Sequence, residues 1–313
     1  MPHPRKFRFG VQLANAGSHA SWADVARKAE DLGYSSLFLP DHFGDQFAPV
    51  PALAAAAAVT TTLRVGALVW DNDYKHPVVL AKEAATIDVI SEGRLEFGIG
   101  AGWMNTDYEQ SGIPKDAASV RIARLTEAVA IYKGLWGPGE FSFSGEHYSI
   151  SNLDGLPKPV QQPHPPVLIG GGGPKMIALA AREADIVGVN PTISKGYVDP
   201  SSASEMAPAH VGKKVDRLRE QAGDRFQDLE LNALVFATLI GQSASARRDQ
   251  MSELLSITVD DLDATPYAWI GDTSSIVDKL RAVRERWGMS YFVVQGEAAM
   301  DRAVSVVAEL AGT

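Results

Sequence analysis

Eight short apolar segments, each followed by a stretch with helical periodicity, recur along the whole chain. They are residues 7–13, 35–39, 63–69, 94–99, 167–169, 186–189, 229–239 and 291–294. Strands that alternate with helices in this way pair in parallel through right-handed crossovers. Eight such units predict an α/β fold, a closed (β/α)8 barrel with insertions, formed by a single domain over residues 1–313. A doubly wound open sheet is the alternative.

Several stretches interrupt this alternation. Residues 141–150 alternate in polarity around Ser144 and Gly145, which predicts a small hairpin outside the barrel. His76 and Asp272 are expected to cap the helices that follow them. Three stretches lack clear periodicity and are expected to be irregular insertions in the loops after strands, namely residues 104–119, 190–205 and 260–270.

Composition excludes several classes of function. The net charge of −9 argues against nucleic acid and acidic membranes as general partners. The chain has no cysteine, which excludes thiolate catalysis, disulfides and zinc–thiolate sites. We see neither an apolar run of transmembrane length nor the apolar core of a signal peptide. We therefore expect a cytoplasmic protein that acts on a small molecule.

The most specific local motif is VLIGGGGPK, which runs from Val167 to Lys175. Glycines let the backbone approach a ligand closely, and Pro174 is well placed in the first turn of a helix. A helix N-terminus offers unpaired N–H groups and a partial positive charge to an anion. These features predict a phosphate cradle, and the alternative is a tight turn in which the glycines serve geometry alone. The dinucleotide-binding spacing G-x-G-x-x-G fails here, because its third glycine position is Lys175.

Residues that directly follow the strands of such a barrel line one mouth. Here they are polar, aromatic or glycine, as a cofactor pocket requires: Asn15, Asp41, His42, Trp70, Asp71, residues 100–103, residues 170–173 and Asn190. His42 can exchange a proton near neutral pH, or it can satisfy the loop backbone. Asp41 precedes it on an extended backbone, so we expect Asp41 to bind a ligand group and not to form a dyad with His42.

Two tryptophans and a glycine-rich strip complete the candidate mouth. Trp70 and Trp103 are candidates for a substrate pocket, although packing in a core is the commoner role of a tryptophan. Residues 100–102 leave room for a flat ligand, or they reflect packing within the barrel wall. The histidines show no ligand spacing, so no metal site is predicted.

Five motifs, in this order, together resemble the bacterial luciferase-like superfamily, and most of all its branch that uses the deazaflavin coenzyme F420. They are FLPDHF, LRVGALV, GRLEFGIGAGW, RLTEAVAIYKGLW and VLIGGGGPKMIALAAREADIVGVN. The resemblance covers nearly the whole chain and is weakest over residues 193–228 and 242–266. It implies a TIM barrel that binds a flavin-type cofactor at its C-terminal mouth, and a homodimer is a common assembly among such relatives.

The same resemblance implies roles for individual residues. His42 would be the proton donor, Gly172 and Gly173 would hold the cofactor phosphate, and the Leu68–Val69 peptide would be cis. The residues that would contact the cofactor are Asp41, Leu68, Val69, Asp71, Ala101, Gly102, Thr106, Gly172, Gly173, Lys175 and Met176.

Trp103 departs from the pattern of the sugar-phosphate dehydrogenases in this superfamily, which have a catalytic glutamate at its position. Together with the lack of an evident basic cluster, this argues against glucose 6-phosphate as substrate. We expect an oxidoreductase that transfers a hydride between coenzyme F420 and a small apolar or aromatic compound. The alternatives are an FMN-dependent monooxygenase and a non-catalytic flavin-binding barrel.

Overall fold

The computed structural model describes residues 5–17, 21–197, 199–241, 244 and 247–313. Its strands are β1 (Arg8–Gln12), β2 (Ser36–Leu39), β3 (Arg64–Ala67), β4 (Trp70–Asp71), β5 (Leu95–Gly100), β6 (Glu140–Ser144), β7 (Ser149–Asp154), β8 (Val167–Gly171), β9 (Ile186–Val189), β10 (Glu230–Val235), β11 (Ala237–Ile240), β12 (Ala268–Gly271) and β13 (Met289–Gln295). Its helices are α1 (Trp22–Asp31), α2 (Pro49–Val59), α3 (Pro77–Ile90), α4 (Asn105–Ser111), α5 (Ala118–Trp136), α6 (Pro174–Glu183), α7 (Pro200–Ser204), α8 (Pro208–Ala222), α9 (Arg248–Leu255), α10 (Val259–Ala264), α11 (Thr273–Trp287) and α12 (Glu297–Leu310).

A closed ring of parallel strands forms the centre of the fold. The ring runs β1, β2, β3, β5, β8, β9, β10 and β13, and β13 pairs with β1 again. The pairing of β3 with β5 joins the two ends of the sheet. β4 resumes the path of β3 after the Leu68–Val69 peptide, which is cis, and pairs with the mouth end of β5. The predicted (β/α)8 barrel is therefore confirmed, and the open-sheet alternative is wrong.

Alternate residues of each strand face the helices or the barrel interior, because side chains alternate along a strand. In β2, Leu37 and Leu39 belong to the large core between strands and helices. Phe38, between them, belongs to a smaller cluster with Leu168 and Val293 that fills the interior. All three β2 side chains are fully buried, and burying one such side chain stabilises a fold by roughly 1.5–3 kcal/mol.

An ionic network around the buried Glu96 lies at the N-terminal end of the barrel. Glu96 of β5 accepts hydrogen bonds from Arg8 (2.9 Å), from Arg64 (2.7 Å) and from the Tyr291 hydroxyl (2.9 Å). Burial acts to raise the pKa of Glu96, but the Arg8 and Arg64 guanidiniums hold that pKa below its usual value. Because these side chains occupy the N-terminal ends of the strands, the C-terminal ends form the mouth.

Several local predictions are confirmed. α3 spans residues 77–90 as expected, and the His76 side chain caps it by accepting from the Val78 amide. Asp272 caps α11 by accepting from the Ser275 amide. β6 and β7 form the predicted antiparallel hairpin. Among the described residues, no helix is both long and apolar enough to cross a membrane.

The predicted strand over residues 229–239 is wrong in one respect, because the chain changes partner at Phe236. β10 pairs with β9 and β13 in the barrel, whereas β11 pairs with β12 in a separate two-stranded sheet. The Phe236 amide donates to the carbonyl of Tyr267, which draws the chain out of the barrel wall. β10 is largely buried and β11 is partly buried, so residues 229–239 form one largely apolar run in the sequence.

The three stretches expected to be irregular contain regular elements. Residues 104–119 include α4, residues 190–205 include α7, and residues 260–270 include most of α10 and most of β12. These elements are too short for a helical or alternating pattern to be visible in the sequence. Tertiary contacts hold α4 instead, since the Asn105 amide donates to the Gly196 carbonyl.

Candidate active site

The mouth brings together residues from the ends of three strands, β2, β4 and β5. Asp41 follows β2, and one of its carboxylate oxygens accepts from the amide of Asp71 in β4 at 3.1 Å. Trp103 follows β5 and packs edge-on against His42, with 5.7 Å between ring centroids. Gly102 lies against the same cluster, because a Cβ at this position would be 2.5 Å from Asp71 Oδ2. These contacts place five of the predicted site residues in one cluster.

The hydrogen-bond partner of His42 is Asp107 of α4, not Asp41. His42 Nδ1 lies 2.6 Å from Asp107 Oδ2. The Asp107 side chain is 5% exposed, whereas that of His42 is 25% exposed. In the described part of the chain His42 Nε2 has no hydrogen-bond partner, so this nitrogen is available to a ligand at the mouth. The expectation that Asp41 and His42 form no dyad is confirmed.

Two further groups bind the Asp107 carboxylate. The Tyr74 hydroxyl donates to Oδ2 at 2.9 Å, and the Phe43 amide donates to Oδ1 at 3.3 Å. Burial, and then the neighbouring Asp71 and Asp107 carboxylates, raise the pKa of Tyr74 far above its ordinary value, so its hydroxyl stays protonated. The carboxylate is thus held on both oxygens.

A second carboxylate, Asp71, is buried beside this pair. Its Oδ1 accepts from the Asp73 amide at 2.9 Å, and its Oδ2 accepts from the Tyr108 hydroxyl at 3.3 Å. Burial raises the pKa of Asp71 to about 7, with a further contribution from the Asp73 and Asp41 carboxylates. Burial also raises the pKa of Asp41. Asp71 therefore holds its proton to a higher pH than an ordinary carboxyl does.

Basic side chains secure the strip that follows β5. Arg121 donates to the carbonyls of Ala101 (3.0 Å) and Gly102 (3.3 Å), and Lys115 donates to the carbonyl of Trp103 (2.8 Å). Gly102 has a φ of +72°, and a Cβ there would overlap the Tyr108 hydroxyl. Packing therefore accounts for the glycine at position 102, whereas contact of this strip with a cofactor remains a prediction.

The four glycines end at the N-terminus of α6. A Cβ at Gly172 would lie 2.3 Å from the Asn190 carbonyl oxygen, so glycine is required there by close backbone packing. A Cβ at Gly173 would meet no atom within 4 Å, and no side chain caps the helix at this residue. The first amides of α6, at Lys175 and Met176, are therefore not capped by a side chain, and a helix N-terminus of this kind can bind a phosphate.

Asn190 provides an independent sign of a missing partner. A Cβ at Gly170 would lie 3.3 Å from Asn190 Nδ2 and 3.5 Å from Val69 Cγ1, which places the Asn190 amide at the mouth. Its Oδ1 is buried and, within the described chain, accepts no hydrogen bond. Buried acceptors are normally satisfied, so this oxygen fits a ligand that carries an N–H donor. The uncapped helix and this acceptor together fit a flavin-type cofactor with a phosphate.

An open cleft of about 440 Å³ adjoins His42 through Trp103. The Asn105 side chain donates to the Lys195 carbonyl at 3.0 Å and ties α4 to the far side of this cleft. Mainly aromatic and polar residues line the cleft: Trp103, Met104, Asn105, Thr106, Glu109, Gly196 and Tyr197. Thr106, predicted to contact the cofactor, therefore lies in the cleft wall.

Trp70 does not line the mouth, contrary to the expectation from sequence. Its side chain is 1% exposed and packs against Phe97 with 5.1 Å between ring centroids. Both residues belong to the core between the barrel and its helices. The reason is strand alternation, which turns Trp70 outward while its neighbour Asp71 faces the mouth.

Sequence reasoning missed Asp107 and Tyr74. Asp107 lies in a stretch expected to be irregular, and nothing in the sequence distinguishes it from other aspartates nearby. In the structure, Asp107 and Tyr108 are buried on the short helix α4 directly after the glycine strip, and it is this burial that marks Asp107 as part of the site. Among the described residues, no group of three or more histidine, aspartate or glutamate side chains could hold a metal ion.

Comparison with known proteins agrees with this geometry. The chain is 32% identical over 209 residues to an F420-dependent glucose-6-phosphate dehydrogenase from Microbacterium testaceum, covering 64% of this chain and 58% of that protein. It is 30% identical over 215 residues to the oxygenase component of a flavin-dependent trigonelline monooxygenase from Acinetobacter baylyi, covering 66% of this chain and 54% of that protein. Both alignments span little more than half of the relative's length.

The fold is shared more widely. The coenzyme F420-dependent tetrahydromethanopterin reductase from Methanopyrus kandleri superposes with a TM-score of 0.75 at 18% identity, covering 98% of this chain and 99% of the other. A family model described as luciferase-like monooxygenase matches residues 6–287. Because the named relatives are enzymes, a non-catalytic barrel is not supported. The chain belongs to the luciferase-like monooxygenase family of oxidoreductases, and its named relatives depend on a flavin or on coenzyme F420.

Proposed function

We propose that the protein is a coenzyme F420-dependent oxidoreductase that transfers a hydride between the deazaflavin and a small apolar or aromatic substrate. The observation that carries this proposal is His42, whose Nδ1 is held by Asp107 while its Nε2 has no hydrogen-bond partner among the described residues. Hydride transfer to a carbonyl or a conjugated alkene must be completed by a proton. An imidazole at this position is suited to supply that proton.

Residues of the mouth would hold the cofactor in the following way. The amides of Lys175 and Met176, after Gly172 and Gly173, would bind its phosphate. Asn190 Oδ1 would accept from a ring N–H. Further contacts are proposed for Asp41, Leu68, Val69, Asp71, Ala101, Gly102 and Thr106. When bound, a deazaflavin supplies or accepts the hydride at a ring carbon.

The substrate class follows from the charges and aromatic side chains around the cleft. Trp103 and Tyr197 line it, which suits an apolar or aromatic compound. Three basic side chains near this end are engaged elsewhere. Lys115 and Arg121 bind backbone carbonyls, and Arg124 binds Asp73 at 2.7 Å and also pairs with Asp116. These three side chains are therefore not free to bind a phosphorylated sugar.

The alternative is an FMN-dependent monooxygenase, in which the reduced flavin reacts with dioxygen. Its support is the trigonelline monooxygenase relative, which is about as similar to this chain as the F420-dependent relative. Asp107 and His42 favour hydride transfer over the monooxygenase reaction, because they form the proton-exchange pair that a transferred hydride requires.

An anaerobic assay tests the proposal. Reduced coenzyme F420 is mixed with the protein and with benzaldehyde or cyclohexenone, and the absorbance of the oxidised deazaflavin is followed. We expect turnover with at least one acceptor, and a loss of about 10²–10⁴-fold in His42→Ala, which is the usual contribution of general acid catalysis. His210→Ala, on the outer helix α8, is the matched control. Unchanged turnover in His42→Ala would remove the proton-donor role.

A further inference from the structure

The Asp107 carboxylate has an asymmetric set of donors. Oδ2 receives the Tyr74 hydroxyl at 2.9 Å and lies 2.6 Å from His42 Nδ1. Oδ1 receives the Phe43 amide at 3.3 Å. A backbone amide can only donate, so the Phe43 contact requires an oxygen on that side of the Asp107 side chain.

We propose that Asp107 is a positioning residue that fixes His42 in the tautomer protonated on Nδ1, so that Nε2 alone exchanges the proton of the reaction. The tautomer follows from the geometry of this chain alone, whereas its consequence for turnover rests on the proposed function.

Three observations support the assignment. An ionised carboxylate carries no proton and can only accept, so the short contact places the imidazole proton on Nδ1. Tyr74 reinforces the carboxylate, because its hydroxyl stays protonated and donates to the same oxygen. Trp103 packs edge-on against the imidazole at an interplanar angle of 87°, which restricts rotation of the ring. Nε2, on the other side of the ring from Nδ1, has no hydrogen-bond partner among the described residues.

The donor asymmetry makes Asp107→Asn a directional test. The amide oxygen of the asparagine must stay beside the Phe43 amide, so its NH2 group must replace Oδ2. That NH2 group then donates one hydrogen to His42 Nδ1 and the other to the Tyr74 oxygen. Only the hydrogen of the Tyr74 hydroxyl loses its acceptor, and the neutral imidazole is forced to carry its proton on Nε2. A serine-protease triad responds in the same way when its aspartate is replaced by asparagine.

The experiment measures the tautomer directly. Protein labelled with ¹⁵N-histidine is studied by multiple-bond ¹H–¹⁵N correlation NMR at a pH where the imidazole is neutral, and His42→Gln assigns the signals. We expect a protonated Nδ1 and a bare Nε2 in the native protein and in Tyr74→Phe, which keeps the carboxylate. Asp107→Asn is expected to show the reverse pattern. A native His42 protonated on Nε2, or an Asp107→Asn protein that keeps the native pattern, would overturn the proposal.

The native spectrum alone decides the tautomer, even if Asp107→Asn does not fold. Turnover of reduced coenzyme F420 with the acceptors named above is the second readout. Asp107→Asn is expected to lose about 10²–10⁴-fold in kcat while cofactor binding is unchanged, because delivery of a proton from Nε2 passes through an imidazolium whose Nδ1–H needs an acceptor, and the asparagine NH2 group cannot accept. An Asp107→Asn protein that shows the reversed tautomer but turns over at the native rate would contradict the catalytic part. If the native protein shows the Nδ1–H tautomer but reduces none of the acceptors, the proposed function fails and the tautomer assignment stands.

Discussion

Replacing Asp71 by asparagine should change how the stability of the protein depends on pH. Burial raises the pKa of Asp71 from 3.8 to about 7. The native state therefore binds this proton more tightly than the unfolded chain does. The free energy of unfolding must fall as the pH rises from about 4 towards 7, where the folded carboxyl also ionises, and the effect then levels off.

The magnitude follows from the size of the shift. One pKa unit corresponds to about 1.4 kcal/mol, so a carboxyl shifted from 3.8 to about 7 costs roughly 4 kcal/mol once it is fully ionised. Between pH 5 and 8 the change amounts to roughly 2–3 kcal/mol. Asparagine avoids this cost and keeps the local hydrogen bonds. Its oxygen accepts from the Asp73 amide, and its NH2 group donates to the Tyr108 oxygen while that hydroxyl donates to Asp73.

Urea unfolding of the native protein and of Asp71→Asn at pH 5, 6, 7 and 8 measures the effect. The stability of the variant relative to the native protein should increase steadily over this range. Asp278→Asn, at a side chain that is 78% exposed, is the matched control and should show no such trend. A stability difference for Asp71→Asn that is constant with pH, or that declines as the pH rises, would refute the reasoning.

Three further predictions concern glycine packing, a carboxylate cap and a core aromatic residue, each measured by urea unfolding. Gly172→Ala should lower the free energy of unfolding by roughly 1–3 kcal/mol, because its Cβ overlaps a backbone oxygen. Gly173→Ala should leave stability unchanged and weaken coenzyme F420 binding. Equal effects of the two variants on both properties would contradict the phosphate cradle. Glu30→Gln should cost about 1–3 kcal/mol at neutral pH, because Glu30 accepts from the amides of residues 61–63. Those bonds, against the effect of burial, lower the pKa of Glu30 to about 2, so its contribution is present above about pH 4.5 and should be lost as the pH falls towards 2. Trp70→Phe should cost roughly 1–3 kcal/mol without changing cofactor binding, and a selective loss of binding would return Trp70 to the site.

The barrel could be predicted from the sequence because its signal is repeated. Each of the eight β runs is predominantly apolar, as expected for strands buried on both faces. Each run is followed by a helix. The irregular insertions could not be read in the same way. α4 has seven residues and no side-chain cap, so its helical state depends on contacts with distant loops, such as the bond between Asn105 and Gly196.

The candidate site was predictable where a residue directly follows a strand, as Asp41, His42 and Trp103 do. Asp107 was not, because its role arises only when the loop after β2 meets the helix after β5, 65 positions further along the chain. The prediction that Trp70 lines the mouth failed for a different reason. The sequence placed it at a strand end but did not reveal which face of the strand it occupies, since the chain is interrupted between β3 and β4.

Cofactor identity is the most direct test of the account. Purified protein is titrated with oxidised coenzyme F420 and, separately, with FMN, and the fluorescence of each ligand is followed. We expect saturable quenching of coenzyme F420 and weaker binding of FMN, with the coenzyme F420 response reduced in Gly173→Ala. Tight binding of FMN with no response to coenzyme F420 would contradict the central claim.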